Sequence, residues 1–445
     1  MPLAVQVIGQ ASKRGIIPLV PSAERLLADI EQWLVAEYPD LLRSSRSQAL
    51  ASGDRELLVD LHPAAPPAVF EATDGGRVVL SAVTSAVGPG YHTFVARLAQ
   101  RLASDLSIDW GTGEAAGSVD DPDAPAPLKL TNGSSPEAGH GGVGERQAVE
   151  RSYLGWLGRS LEAARDARHR EACGIHLETT PGVRYTFDGA IATTLGPRDD
   201  AWLGQAIGDP RVAIDVSPWW ADATDAKYLL NRALCLMWTE VRWRAAIDPA
   251  EQQLLDEVAR LLWQAFPLDP TLAYPWREWN ELLAVRGVED PGASRLVGDR
   301  SATTPDDRPL IGYRRQPVTV VHEGWTLELP GSFAERRSPE EWWGGETGRS
   351  VTLAAVETGT DSGPMSAEGF LHQVAGDLGS EGLTHQAGDV IGRARLGSDA
   401  SSGVEVGVVE GYSATRGRGA AVRITFDDPA DWQWALDVWR ALTPA

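Results

Sequence analysis

GVEVGVVEGYSATRGRGAAVRITF (403–426) decides the character of the C-terminal third. GVEVGVV (403–409) and AVRITF (421–426) alternate apolar and polar residues, the period of a half-buried strand. Arg416-Gly417-Arg418-Gly419 is a natural loop between them. Upstream, WTLEL (Trp325–Leu329) alternates in the same way. Two helices complete the pattern. Ser366 is placed to cap one, with Phe370, Leu371, Val374 and Leu378 inward. Asp428-Pro429 opens the other, with Trp432, Leu436, Trp439 and Leu442 inward. Residues 316–445 are therefore expected to form an antiparallel sheet with packed helices and a core of its own.

The element order carries a resemblance. A strand ending in Leu-Pro (WTLELPGSF), an acidic turn, SVTLAAVETG, the helix MSAEGFLHQVAGDLG, long alternating strands and a final helix resemble the PsbP/Mog1-like α/β/α domain. The resemblance covers about 130 residues and implies a binding or assembly role without chemistry, on fold alone. It brings no functional residues with it.

Working towards the N-terminus, residues 296–315 read as a linker and 146–295 as a β-hairpin followed by a helical, Trp-rich region. A long helix from about Arg146 has Val149, Tyr153, Leu157, Leu161 and Ala164 on one face. Lys227 to Arg244 is apolar on most sides and predicts a buried helix. Asp248-Pro249-Ala250-Glu251 is a strong helix start: Asp caps, Pro takes the first turn and Glu reaches back. Residues 111–145 are rich in Gly, Pro, Ala and acids without an apolar period, and read as a linker. Residues 1–110 read as an α+β unit that either stands alone or joins 146–295. Ser22 caps a helix in it, Asp74-Gly75 turns a hairpin, and Gly88-Pro89-Gly90 breaks the chain before a second helix. The whole is a multi-domain α+β protein.

The stretches GPGYHTFVARLAQRLASDLSIDW and PWWADATDAKYLLNRALCLMWTEVRWR resemble bacterial proteins that travel with ATPase and von Willebrand-type partners. That resemblance implies protein partners in an ATPase-linked system. An internal duplication is also expected. Asp74-Gly75, Thr84, Gly88-Pro89 and Ile108-Asp109 recur in order as Asp188-Gly189, Thr193, Gly196-Pro197 and Ile214-Asp215.

Composition removes several function classes. Over 445 residues, 62 acids oppose 40 bases, a net charge of -22. Such a surface repels phosphate backbones and anionic lipid, so neither nucleic acid nor a membrane is an expected partner. No apolar run has the roughly 20 residues of a membrane helix, and the first residues do not read as a signal peptide. Two cysteines make no disulfide framework and fit a reducing cytoplasm.

Residues 139–145 are Gly-rich before a helix but lack the Lys-Ser/Thr of a phosphate loop, and the three lysines, Lys13, Lys129 and Lys227, all lie elsewhere. His169, Cys173 and His176 have ligand-like spacing, but Gly174 stops the helix and a fourth ligand is missing, so no metal and no cofactor are expected. There is no G-x-S-x-G elbow, and no catalytic residue is assigned. His92, at a helix start, is the best-placed single histidine. Asp109 and Asp215 become a paired-acid or cation site if the duplicated ends meet. Among 17 tryptophans, Trp342-Trp343 sit in a Gly- and Glu-rich turn and are the interface candidates, while the central group fills a core. The reading is a non-enzymatic adaptor or accessory subunit of a bacterial cytoplasmic assembly, binding proteins through exposed Trp and Arg. The alternative is an enzyme or cation-binding protein built on Asp109, Asp215 and His92.

Overall fold

Val5, Val7 and Ala11 are buried at alternate positions of the first strand, and the same period runs through both sheet units of the chain. The computed structural model describes residues 3–12, 20–50, 52–111, 143–170, 182–185, 191–221, 223–288, 291–305, 309–338, 340–360, 363–375, 382–400 and 405–445. The chain is multi-domain α+β and divides into two compact units. One comprises Met1–Thr179, Phe187–Met237 and Arg260–Tyr274; the other comprises Thr180–Thr186, Trp238–Ala259 and Pro275–Ala445.

The first unit is built on β1 (Ala4–Ala11), α1 (Ala23–Glu37), β2 (Ser44–Ala49), β3 (Arg55–Asp60), β4 (Ala68–Ala72), β5 (Arg77–Val83), α2 (Pro89–Leu106) and β6 (Ile108–Trp110). The strands form an antiparallel sheet in the order β2-β3-β4-β5-β1-β6. Ser22 caps α1 by accepting from Arg25 N at 3.3 Å, and Asp74 in the β4–β5 turn accepts from Ala23 N at 3.0 Å. The expected Asp-Gly hairpin thus also holds the start of α1. Leu26, Leu27, Ile30 and Leu34 of α1 and Val95, Leu98, Ala99 and Leu102 of α2 join Leu57, Val59, Phe70 and Leu80 of the sheet in one core. Trp110 lies over Gly9, where a Cβ would come within 2.6 Å of the indole, and its Nε1 donates to Ala99 O at 2.6 Å.

Next comes α3 (Val143–Arg170), whose Tyr153, Leu157 and Leu161 are buried as its period requires. The short β7 (Val183–Arg184) belongs to the second unit. Then β8 (Ile191–Thr193), β9 (Gly196–Arg198), α4 (Asp200–Gly208) and a 3-10 turn (Pro210–Val216) return to the first. The duplication fails here. Gly196-Pro197, expected to repeat a chain break, lies in β9 and pairs with β8 in a two-stranded sheet. Ile108 is buried in a strand, whereas Ile214 is 37% exposed in the 3-10 turn. Gly-Pro and Asp-Gly are common turn dipeptides, and their shared order reflects that alone. Asp188-Gly189 lies outside the described residues.

α5 (Ala226–Thr239) is the expected buried helix, but it stops five residues early. Arg314 Nε donates to the Thr239 carbonyl at 3.2 Å, and Tyr185 Oη donates to the same oxygen. These groups take a carbonyl of the last turn. The chain then turns through Trp243 at φ 55, whose ring lies 3.9 Å beneath the Arg315 guanidinium. α6 (Pro249–Leu268) starts as expected. Asp248 Oδ1 accepts from Glu251 N at 2.9 Å, and Glu251 reaches back to Ile247 N at 3.0 Å. α7 (Trp276–Arg286) and α8 (Pro291–Ala302) follow. Residues 296–315 are therefore not a free linker: Val297 and Tyr313 are buried, as is Arg314.

In the second unit β10 (Val318–His322) and β11 (Trp325–Leu329) form a hairpin through Glu323-Gly324, both at positive φ. WTLEL is thus a strand, as expected, but of a small separate sheet with β7 and the C-terminal β21 (Thr443–Pro444). The main sheet holds β12 (Ala334–Arg337), β13 (Trp342–Glu346), β14 (Arg349–Glu357), β17 (Leu383–Ala387), β18 (Val390–Asp399), β19 (Val406–Thr415) and β20 (Arg418–Phe426). They run antiparallel in the order β12-β13-β14-β20-β19-β18-β17, and β15 (Gly359–Thr360) and β16 (Gly363–Pro364) make a minor hairpin. The Arg416–Gly419 loop is tighter than expected, since Thr415 already pairs with Arg418.

α9 (Ala367–Ala375) and α10 (Trp432–Arg440) pack on opposite faces of that sheet. Phe370 of α9 lies on Gly419, which pairs with Ala414. Trp439 of α10 lies on Gly411, three residues from Ala414 and so on the other face. Ser366 caps α9 by accepting from Gly369 N at 3.1 Å. Two expected inward residues point outward, Val374 at 38% and Trp432 at 45% exposure, and Leu378 lies outside the described residues. The expected Leu436, Trp439 and Leu442 are buried, and Ala435 and Val438 complete the core face of α10.

Three arginines fix the loop that follows β11. Arg314 donates to Gly331 O at 3.5 Å, Arg244 to Ser332 O at 2.8 Å and Arg242 to Phe333 O at 2.6 Å. Glu335 and Glu251 balance them. Arg314 meets Glu335 at 2.5 Å, and Arg244 holds Glu251 through two bonds of 2.7 and 2.9 Å. Burial acts to lower the Arg314 pKa, but the Tyr185 hydroxyl and the Glu335 carboxylate together raise it.

Candidate functional site

The polar groups singled out in the first unit converge on Gly88-Pro89-Gly90. Gly88, at φ 123, precedes α2, and Thr84 O accepts from Val87 N at 3.2 Å and from Gly88 N at 3.1 Å. Against this turn lies Pro218-Trp219-Trp220-Ala221. Trp219 N donates to Val87 O and Gly90 N donates to Trp219 O, each at 3.0 Å. A Cβ at Gly88 would sit 2.7 Å from Trp219 O, and one at Gly90 would collide with Ala221 O. The glycines are therefore needed for backbone contact.

Trp219 is 3% exposed and sits among four other rings. Centroid distances are 4.3 Å to Tyr228, 5.1 Å to Phe94, 5.9 Å to Tyr91 and 6.3 Å to His62. His62 is wholly buried, and its Nδ1 accepts from Ala64 N at 3.1 Å. That bond leaves the ring proton on Nε2. Among the described residues Nε2 has no hydrogen-bond partner, and the rings surround it. Arg232, also buried, donates to Tyr228 Oη at 3.1 Å and to the carbonyls of Leu61 and Leu41 at 3.5 and 3.4 Å. Burial, then the guanidiniums of Arg232 and Arg43, hold the His62 pKa well below its usual value.

His92 is not the exposed group that its helix-start position predicts. It is 8% exposed, with Nδ1 2.9 Å from the Thr84 hydroxyl, which in turn lies 3.2 Å from Leu3 O. Burial pushes its pKa down to about 4. A hydroxyl beside an imidazole resembles a nucleophile and its base, but Thr84 is 1% exposed and tied to the chain start. The pair serves packing.

The two carboxylates are both on open surface. Asp109 points outward from β6, between buried Ile108 and Trp110. Asp215 is 55% exposed and pairs with Arg198 at 3.2 Å. Neither is held in a polar cleft with His92. Among the described residues no group of three His, Cys, Asp or Glu could hold a metal ion. The His169 side chain, together with Cys173, Gly174 and His176, lies outside the described residues. Cys235 is buried in the core.

The tryptophan pair splits. Strand alternation puts Trp342 and Trp343 on opposite faces of β13. Trp342 pairs with Leu353, is fully buried on the face covered by α10, and is not an interface residue. Trp343 pairs with Thr352 on the face of α9, beyond the part that α9 covers, and is half-buried. The Arg336 guanidinium lies 4.9 Å over its ring, with 66% of the Arg336 side chain exposed. On the same face Arg395, Glu410, Arg423 and Asp399 form a cross-strand ion-pair ladder. Elsewhere in the second unit, an open groove of about 870 Å³ is lined by Ser366, Glu368, Asp389, Arg416 and Thr443 and contains none of the expected residues.

No helix among the described residues is long and apolar enough to cross a membrane. No protein-family model matches the sequence, and no curated protein is similar to it. Among solved structures, a Bacteroides thetaiotaomicron protein aligns with TM-score 0.24 and 9% identity. The alignment covers 27% of this chain and 45% of that one.

Proposed function

We propose that the chain is a non-enzymatic adaptor or accessory subunit that binds protein partners through Trp and Arg on its C-terminal sheet. The observation that carries this reading is the Arg336–Trp343 stack on a sheet face that α9 covers only at one end. Trp and Arg are the residue types most enriched at interface hot spots. The buried histidines point the same way, since His62 and His92 are engaged in packing. Helices on both faces of an antiparallel sheet are also what a PsbP/Mog1-like domain would have, and the reading keeps that assignment. Its setting is a bacterial cytoplasmic assembly linked to an ATPase. Purification of the full chain from its own cells at native abundance tests it. A stoichiometric protein partner on size exclusion is expected. A monomer that turns over a substrate in an activity screen would overturn the reading.

A further inference from the structure

We infer that His62 is an acid-sensitive latch holding the Pro218–Ala221 strap against the start of α2. The geometry is specific to the neutral ring. Ala64 N–H already occupies Nδ1 as a donor, at 3.1 Å, so a proton added there would set donor against donor. Nε2 has no acceptor among the described residues to share the new charge. The charged and titratable groups around the ring come from four places: Arg43 before β2, Asp60 at the end of β3, Tyr91 of α2, and Tyr228 and Arg232 of α5. Two of these are guanidiniums, and the single carboxylate, Asp60, is engaged by Arg43 at 3.1 Å.

The strap is the part best placed to yield. Trp219 supplies one wall of the cage, and the strap backbone is held to α2 by the Trp219 N–Val87 O and Gly90 N–Trp219 O bonds. Asn231 Nδ2 adds a bond of 3.3 Å to Pro218 O. Lifting Trp219 away would let water reach the imidazole, which would then titrate near its ordinary value. The strap-open state therefore gains by roughly 30-fold between pH 7.5 and pH 5, for one proton on a group of ordinary pKa about 6.5.

Hydrogen–deuterium exchange of the full chain at the Trp219 and Gly90 amides tests this, with rates corrected for the intrinsic effect of pH. In the wild type, opening at pH 5 should exceed that at pH 7.5 by about 30-fold, while central β1 and β5 amides keep their protection. His62→Asn retains an acceptor for Ala64 N–H and does not titrate, so its profile should be flat. His92→Gln should keep the response, which separates the two histidines. A flat wild-type profile, an unchanged response in His62→Asn, or loss of β1 and β5 protection in step with the strap would each overturn the latch.

Discussion

Replacing Arg314 with Met should be among the most damaging single changes in the second unit. The Arg314 and Glu335 side chains are 1% and 8% exposed and meet at 2.5 Å. Removing the cation leaves a carboxylate buried without its counter-charge, a loss of about 3–5 kcal/mol for a buried pair. The bonds to Thr239 O at 3.2 Å and Gly331 O at 3.5 Å disappear as well, the second of them long and weak. For a unit of this size, that predicts a fall of about 6–20 °C in its melting transition. Calorimetry of the full chain measures it. The double variant Arg314→Met, Glu335→Leu removes both charges and should recover part of the loss, leaving about 1–3 kcal/mol for the lost bonds to the Thr239 and Gly331 carbonyls. A single variant within about 1 kcal/mol of wild type, or a double variant no better than the single, would refute the argument.

His92→Gln should flatten part of the acid side of the stability curve. The folded pKa of His92 is about 4 against an ordinary 6.5, so between these values the unfolded chain binds a proton that the folded chain does not. Stability is therefore lost as pH falls from about 6.5 to 4, by about 3 kcal/mol in all, and equilibrium unfolding across that range should show it. Asp248→Ala should cost about 1 kcal/mol through the lost cap on Glu251 N. Its carboxyl is held below the usual range, first by that backbone bond, so the contribution is present above about pH 4 and fades as pH falls through the depressed value. Trp342→Ala should cost about 3–5 kcal/mol in chemical denaturation, and Trp432→Ala less than about 1 kcal/mol, because only the first is buried.

Local chemistry was the readable part of this sequence. Asp248-Pro249-Ala250-Glu251 announces its capping box, Asp74-Gly75 its hairpin and Ser22 and Ser366 their caps, because each depends on residues within a few positions. Long-range closure was not readable. The end of α5 is set by Arg314, 75 positions beyond Thr239, so periodicity alone ran the helix on to Arg244. The pairing of Gly88-Pro89-Gly90 with Pro218–Ala221 spans a still wider gap, and it buries a histidine that its own neighbours suggest is exposed. The candidate interface was half legible. A Trp-Trp pair in a strand must send one ring to each face, and that period was available in the sequence once the turn was read as a strand. Which of the two rings meets solvent depends on where α9 and α10 pack.

Quantitative affinity capture from native cell extract, comparing the wild type with Arg336→Glu, Trp343→Ser, tests the adaptor claim most directly. Both proteins should keep the same fold, since 66% of the Arg336 side chain is exposed and Trp343 is only half-buried. The account predicts that a partner retained in stoichiometric amount by the wild type is depleted at least about tenfold by the double variant, as removal of a hot-spot pair worth about 1.4 kcal/mol or more requires. Equal retention of that partner by both proteins would contradict it.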